Sequence, residues 1–145
     1  MPKVYVSCVI NAPAAEVWRV IRDFNALPSW TPFVAESRIE HNVPSDQVGC
    51  IRNFRLRDGG VIRERLLALS GYELSCTYSI LECPMGVENY LASLSLSAIT
   101  ECNTTFAEWQ AEFDCDPDRE EALIRQIGQN VFQAAFNVLK QRFGR

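Results

Sequence analysis

Apolar and polar residues alternate along most of this chain, and a period of two admits little besides strands with one face inward and one outward. In Val61–Leu69, one face carries Ile62, Glu64, Leu66 and Ala68, and the other Arg63, Arg65, Leu67 and Leu69. Two arginines are easier to solvate than to bury, which turns the Ile62 face inward and takes Glu64 with it. By the same rule Asn53, Arg55 and Arg57 face out of Ile51–Arg57, leaving Arg52, Phe54 and Leu56 inside. Asn89–Ile99 sets Tyr90, Ala92, Leu94, Leu96 and Ala98 against Leu91, Ser93, Ser95 and Ser97. Leu74–Ile80 sets Cys76, Tyr78 and Ile80 against Ser75, Thr77 and Ser79. Thr104–Cys115 sets Thr105, Ala107, Trp109, Ala111 and Phe113 against Glu108, Gln110 and Glu112. Lys3–Ile10 gathers Val4, Val6, Cys8 and Ile10 on one face, and Phe33–His41 reads as a further strand.

Helical periods occur in two places. Pro13 suits a helix start, and Ala14–Phe24 follows with Val17, Val20, Ile21 and Phe24 as its stripe. A second short helical turn, Leu27–Pro32, holds Trp30 between two prolines, a position expected near a pocket mouth or a dimer contact. Near the end, Asp116-Pro117-Asp118 caps a long helix over Arg119–Phe143, ended by Gly144, with the stripe Leu123, Ile127, Val131, Ala134, Ala135 and Val138, and Ile124, Phe132 and Leu139 beside it. The order is strand, two short helices, six strands, long helix, with no sustained βαβ alternation. That predicts one α+β domain over residues 1–145, built on a seven-stranded antiparallel sheet. A single helical stripe covers only one face of such a sheet, so the sheet must curl around the helix. Ala134 and Ala135 then oppose Ala92, Ala98, Ala107 and Ala111. Small residues facing small residues predict an internal cavity; the other reading is a closer approach of helix to sheet.

Charge and cysteine content narrow the function classes. The net charge is −4, and the basic charge is nearly all arginine spread along strands, which argues against a nucleic-acid footprint. No run approaches the ~18–20 apolar residues of a membrane span, and no basic stretch followed by an apolar run opens the chain, so a cytoplasmic location is expected. Cys8, Cys50, Cys76, Cys83, Cys102 and Cys115 include no C-x-x-C pair, and His41 is the sole histidine. They read as reduced thiols used as small apolar residues, with no metal site and no cofactor expected.

The run Asp23-Phe24-Asn25-Ala26-Leu27-Pro28-Ser29-Trp30, then Val48-Gly49-Cys50-Ile51-Arg52, Asp58-Gly59-Gly60, Glu64-Arg65-Leu66 and Asn89-Tyr90 resembles the SRPBCC superfamily. The likeness is greatest to its polyketide cyclase/dehydrase-like branch of small bacterial proteins. The plant abscisic-acid receptors share the layout. The resemblance implies a helix-grip fold with a deep cavity between curled sheet and C-terminal helix. It also implies that residues matching Glu64 and Tyr90 bind ligand through ordered water, with Arg52 in the same polar cluster. Two gate loops correspond to Arg57–Val61, with Asp58, Gly59 and Gly60, and to Glu82–Val87, with Pro84, Met85 and Gly86. Thr31 stands where the receptors carry the lysine that holds the hormone's carboxylate, and the first gate loop is shortened. Neither a lysine-held acid nor gate-and-latch signalling carries over.

Glu64 and Arg52 admit two readings. Either they form a buried ion pair that sets register and never meets a ligand, or they anchor the floor of a pocket. Desolvation would raise the Glu64 pKa and make it a general acid or base; pairing with Arg52 would lower it. Tyr78 and Tyr90 are either satisfied core tyrosines or hydrogen-bond donors to a carbonyl oxygen. Trp109 is either core or ligand surface. The expected pocket wall comprises Arg52, Phe54, Leu56, Glu64, Leu66, Tyr78, Ile80, Tyr90, Ala92, Trp109, Ile127, Val131, Ala134 and Ala135, with Trp30 and the two gate loops at its mouth. The expected function is binding of a small, mostly apolar molecule by a monomer or homodimer. A second reading is a cofactor-free polyketide cyclase or dehydratase with Glu64 as the acid/base. A third is a protein-interaction component working through its edge strand or Trp30.

Overall fold

A computed structural model describes residues 1–144. The elements are β1 (Lys3–Ile10), α1 (Ala14–Ile21), α2 (Leu27–Trp30), β2 (Val34–Ile39), β3 (Ile51–Leu56), β4 (Val61–Ser70), β5 (Ser75–Glu82), β6 (Glu88–Ile99) and β7 (Thr104–Asp114). A C-terminal helix follows in three parts: α3 (Glu120–Arg125), a π-helical segment (Gln126–Gln133) and α4 (Ala134–Arg142). The strands form one antiparallel sheet in the order β1-β7-β6-β5-β4-β3-β2, curved around the C-terminal helix in a helix grip. No helix among the described residues is long and apolar enough to cross a membrane.

Alternation holds along most strands. Val4 and Ile10 of β1, Tyr90 to Leu96 of β6 at every second position, and Thr105 to Phe113 of β7 are buried as their periods require. It breaks in β4, where a bulge lies between Leu66 and Ala68. The extra residue flips the pleat, so Ala68 is exposed and Leu69 turns toward the core, the reverse of the expected facing. Ala98, at the end of β6, is exposed as well. β2 is shorter than Phe33–His41 because His41 and Asn42 take positive φ (62° and 54°) in a 3₁₀ turn over Glu40–Asn42. The first helix stops at Ile21, although Phe24 beyond it is buried.

The largest departure from simple periodicity lies in the C-terminal helix. Its buried residues are Leu123, Ile127, Gly128, Phe132, Ala135, Phe136 and Leu139. The step from Ile127 to Phe132 is too long for one α-helical turn. The π segment accommodates it, because its hydrogen bonds close five residues apart rather than four. Phe132, not Val131, therefore enters the core. Gly128 lies against β1, where an added Cβ would stand 3.4 Å from Val4 Cγ1.

Aromatic side chains fill the half of the grip where the alanines lie. Trp109 stacks on Phe132 with ring centroids 4.2 Å apart, and Phe136 and Trp30 each stand 5.5 Å from it. Ala107, Ala111 and Ala135 are buried in the core with these rings, and Ala134 is half-buried. Ala92, Ala98, Ala107, Ala111, Ala134 and Ala135 do not line the large cavity of the grip; aromatic rings, rather than open space, occupy the room their small side chains leave. Trp30 is a core residue, 3% exposed, and does not stand at a mouth.

The π segment makes a direct prediction. Phe132→Ala removes a fully buried ring and should cost about 3–5 kcal/mol. Val131→Ala, at a half-buried position, should cost about 1 kcal/mol. Urea denaturation of both variants checks the order; a greater loss at Val131 would require an uninterrupted α-helix.

Candidate functional site

The register of the β3–β4 pair places Arg52 directly opposite Glu64 on the inward face. Arg52 donates from Nε to Glu64 Oε1 at 2.7 Å, and its Nη2 stands 2.6 Å from the same oxygen. Its Nη1 donates to the Phe24 carbonyl at 3.2 Å. The guanidinium lies 3.9 Å from the Phe24 ring centroid and 4.8 Å from that of Tyr78. Every side of Arg52 is thus engaged by protein. Glu64 is not: among the described residues nothing donates to Oε2, and no buried side-chain oxygen lacks a partner. Oε2 is therefore reached from an open space, and Glu64 lines one.

That space is a cavity of about 820 Å³ between the inner faces of β3–β5 and the π segment, within the roughly 300–1,000 Å³ typical of small-molecule sites. Phe33, Phe54, Leu56, Ile62, Ile80, Ile127, Val131 and Phe132 supply apolar wall. Glu64, Tyr78 and Tyr90 supply the buried polar atoms. Tyr78 Oη accepts from Trp109 Nε1 at 3.0 Å, which leaves its own proton to donate. Tyr90 Oη has no protein partner among the described residues, and its ring stacks on Phe113 at 5.9 Å. Burial raises the pKa of both phenols, so each is a neutral donor at physiological pH. Burial also raises Glu64 above its ordinary value of 4.5, against the lowering influence of Arg52.

Two loops and the helix start frame the mouth. Asp58 Oδ1 accepts from the Gly60 amide at 2.9 Å, which tightens the β3–β4 turn. Arg57 Nε donates to the Pro32 carbonyl at 2.8 Å. Arg119, just before α3, donates from Nη1 to the Met85 carbonyl at 2.6 Å and so ties the β5–β6 loop to the helix. Gly86 has φ +78°, and a Cβ there would collide with the Arg119 guanidinium.

Of the residues expected on the wall, Phe54, Leu56, Glu64, Tyr78, Ile80, Tyr90, Ile127 and Val131 line the cavity, and Asp58, Pro84 and Met85 line its mouth. Arg52 does not, because Phe24 and Glu64 cover it. Leu66 lies past Glu64 on β4 and is fully buried; Ala92 and Trp109 lie in the packed core; Ala134 and Ala135 lie beyond the π segment. Gly59, Gly60 and Gly86 shape the mouth without lining it. Sequence periodicity missed Arg119, Ala122, Arg125, Gln126, Gln129 and Asn130, all of which border the cavity. They fall on the polar side of an α-helical wheel, and only the π segment and the helix's placement bring them to the mouth. Thr31 is buried with its hydroxyl donating to the Leu27 carbonyl, away from the cavity.

Residues 1–144 match the profile of the family described as polyketide cyclase/dehydrase and lipid transport. Among solved structures, the XoxI protein of Bacillus cereus is 30% identical, with a TM-score of 0.89 over 99% of this chain and 96% of that one. A Thermobifida fusca protein is 28% identical, with a TM-score of 0.89 over 100% and 95%. A START superfamily protein from Mycobacterium smegmatis is 13% identical, with a TM-score of 0.80 over 99% and 97%, and shares the fold. A comparison with functionally curated proteins gives no match.

The ion pair sets a pH-dependent stability. Because its folded pKa is raised, Glu64 contributes stability that is present below about pH 4.5 and is lost as pH rises through the folded value. Removing Arg52 takes away both lowering influences and deepens that loss. Arg52→Met should therefore cost about 3–5 kcal/mol at neutral pH and recover in part on acidification toward about pH 4.5, since the lost contacts with Phe24 and Tyr78 are not restored by acid. Arg52→Met/Glu64→Leu should lose the pH dependence. Urea midpoints across pH check this; equal destabilisation of Arg52→Met at both ends of the range would exclude an unpaired buried carboxylate.

Proposed function

The chain belongs to the polyketide cyclase/dehydrase and lipid transport family, and on that premise we propose that it binds a small hydrophobic molecule, lipid-like or aromatic, in the cavity beside Glu64. The observation that carries this reading is an apolar wall interrupted by three polar groups with capacity to spare: Glu64 Oε2 and the Tyr78 and Tyr90 hydroxyls. A sealed core satisfies such groups internally, because a buried polar atom without a partner costs about 1–3 kcal/mol. A ligand with one or two oxygens satisfies them instead and keeps its body on Phe54, Leu56 and Ile80. The reading has the protein work in the cytoplasm, as a monomer or homodimer with its six cysteines reduced.

One observation favours a second reading, a cofactor-free cyclase or dehydratase. A carboxyl whose pKa is raised by burial, facing a cavity beside two neutral phenols, is equipped to take a proton from carbon next to a carbonyl. The phenols would hold the enolate oxygen. Glu64→Gln separates the readings: a binder keeps most of its affinity, and an enzyme loses turnover.

Native mass spectrometry of protein purified from its own host is expected to show a discrete small-molecule adduct. Leu56→Trp and Val131→Trp, each placing an indole in the cavity, should abolish it and remove any ligand-induced rise in Tm. No adduct, together with no thermal shift from a panel of lipids and aromatic polyketides, would sink the reading.

A further inference from the structure

Charge is distributed unevenly along the cavity. Among the described residues its inner wall holds one carboxyl, Glu64, and no cation, since Arg52 does not reach the surface of the cavity. Its mouth holds Arg57, Arg119 and Arg125, against one acid among the described lining residues, Asp58, whose Oδ1 accepts from the Gly60 amide. All three arginines are exposed at the rim. Arg57 uses only Nε and Arg119 only Nη1 on protein carbonyls, and Arg125 has no side-chain partner among the described residues. Three arginines thus border one opening in a chain whose net charge is −4, and Arg125 also borders a neighbouring surface hollow beside Glu121.

An anionic group at the inner end would face Glu64 with no counter-cation, and a buried unpaired charge is costly. At the mouth it meets planar donors suited to carboxylate or phosphate. A hydroxyl, by contrast, suits the inner end, where Glu64 Oε2 accepts and the tyrosines donate. We propose that the ligand is an elongated amphiphile bound in one polarity, with an uncharged hydroxyl beside Glu64 and a carboxylate or phosphate held at the rim by Arg57, Arg119 and Arg125. This inference rests on the cavity being the ligand site and adds the class and direction of what fills it.

Calorimetric titration of three probes with a common ten-carbon body tests it: decane-α,ω-diol, ω-hydroxydecanoate and ω-hydroxydecyl phosphate. All carry the inner hydroxyl, and only the outer group differs. The expected result is that the carboxylate or the phosphate binds about tenfold tighter than the diol, about 1.4 kcal/mol. That advantage should shrink as NaCl rises from about 0.02 M to about 0.5 M. It should also fall toward unity in Arg119→Gln/Arg125→Gln. Arg125→Gln alone, which breaks no protein contact among the described residues, should remove part of it and guards against a fold defect from the lost Met85 contact. A stronger carboxylate points to a free acid, and a stronger phosphate to a lipid headgroup. Diol binding as tight as that of either anion, or an advantage that survives the double variant, overturns the inference and leaves the cavity reading intact. Failure of all three probes to bind overturns the inference, and the adduct and thermal-shift measurements then decide the cavity reading separately.

Discussion

A guanidinium and a carboxylate meet on the dry side of the β3–β4 pair, and the cavity takes its chemistry from how they meet. An ion pair this buried adds little net stability, because desolvation offsets most of the attraction. Its consequence is positional. With Arg52 opposite Glu64 in register, a one-residue slip of either strand would turn a charge outward and a neighbouring residue inward. Arg52 is held in turn by the carbonyl and ring of Phe24, which ties the connection between α1 and α2 to the sheet floor. Both Arg52 contacts fall on Oε1, so the pair is complete on one side and open on the other. One residue thereby serves the fold through one oxygen and faces the cavity with the second.

The grip is divided in two by its aromatic residues. Trp109, Phe132, Phe136 and Trp30 close one half against the small residues of β7 and α4. The π segment brings Phe132 into that cluster, and Phe132 and its chain neighbour Val131 both border the cavity. A single irregular stretch of helix thus supplies both the plug of the packed half and a wall of the open half. Helices with i→i+5 bonding recur at functional sites; here the packing requirement of Phe132 is a sufficient physical cause.

Family membership is compatible with carriage of a ligand and with chemistry on one, since a shared scaffold does not decide between them. The residues narrow the field by polarity. A deep acceptor, two neutral phenolic donors and a cation-free inner wall favour an uncharged oxygen inside. The arginine-bordered mouth favours an anion outside. Each preference follows from groups left with unused hydrogen-bonding capacity, so it is a statement about complementarity rather than about pocket size.

Much of this was legible in residue order. Alternation placed Arg52, Glu64, Tyr78 and Tyr90 inside, because period and facing are local properties; the lack of βαβ alternation pointed to an antiparallel sheet, and the single helical stripe to its curvature. The site was only half legible. Leu66, Ala92, Trp109 and Ala135 share the inward period with Leu56 and Ile80, yet they pack in the core while the latter border a cavity. Facing inward does not say what lies opposite. Arg119 and Arg125 read as ordinary exposed helix charges, and nothing local brings them to the same opening as Arg57. The bulge in β4 and the π segment are each a one-residue change of phase, invisible to a fixed period. Residue order alone showed which side of each strand faces inward and that Arg52 and Glu64 both lie on that side, but not whether they pair. Only tertiary packing decided where the interior stays open, because an empty volume depends on the summed fit of side chains from distant segments.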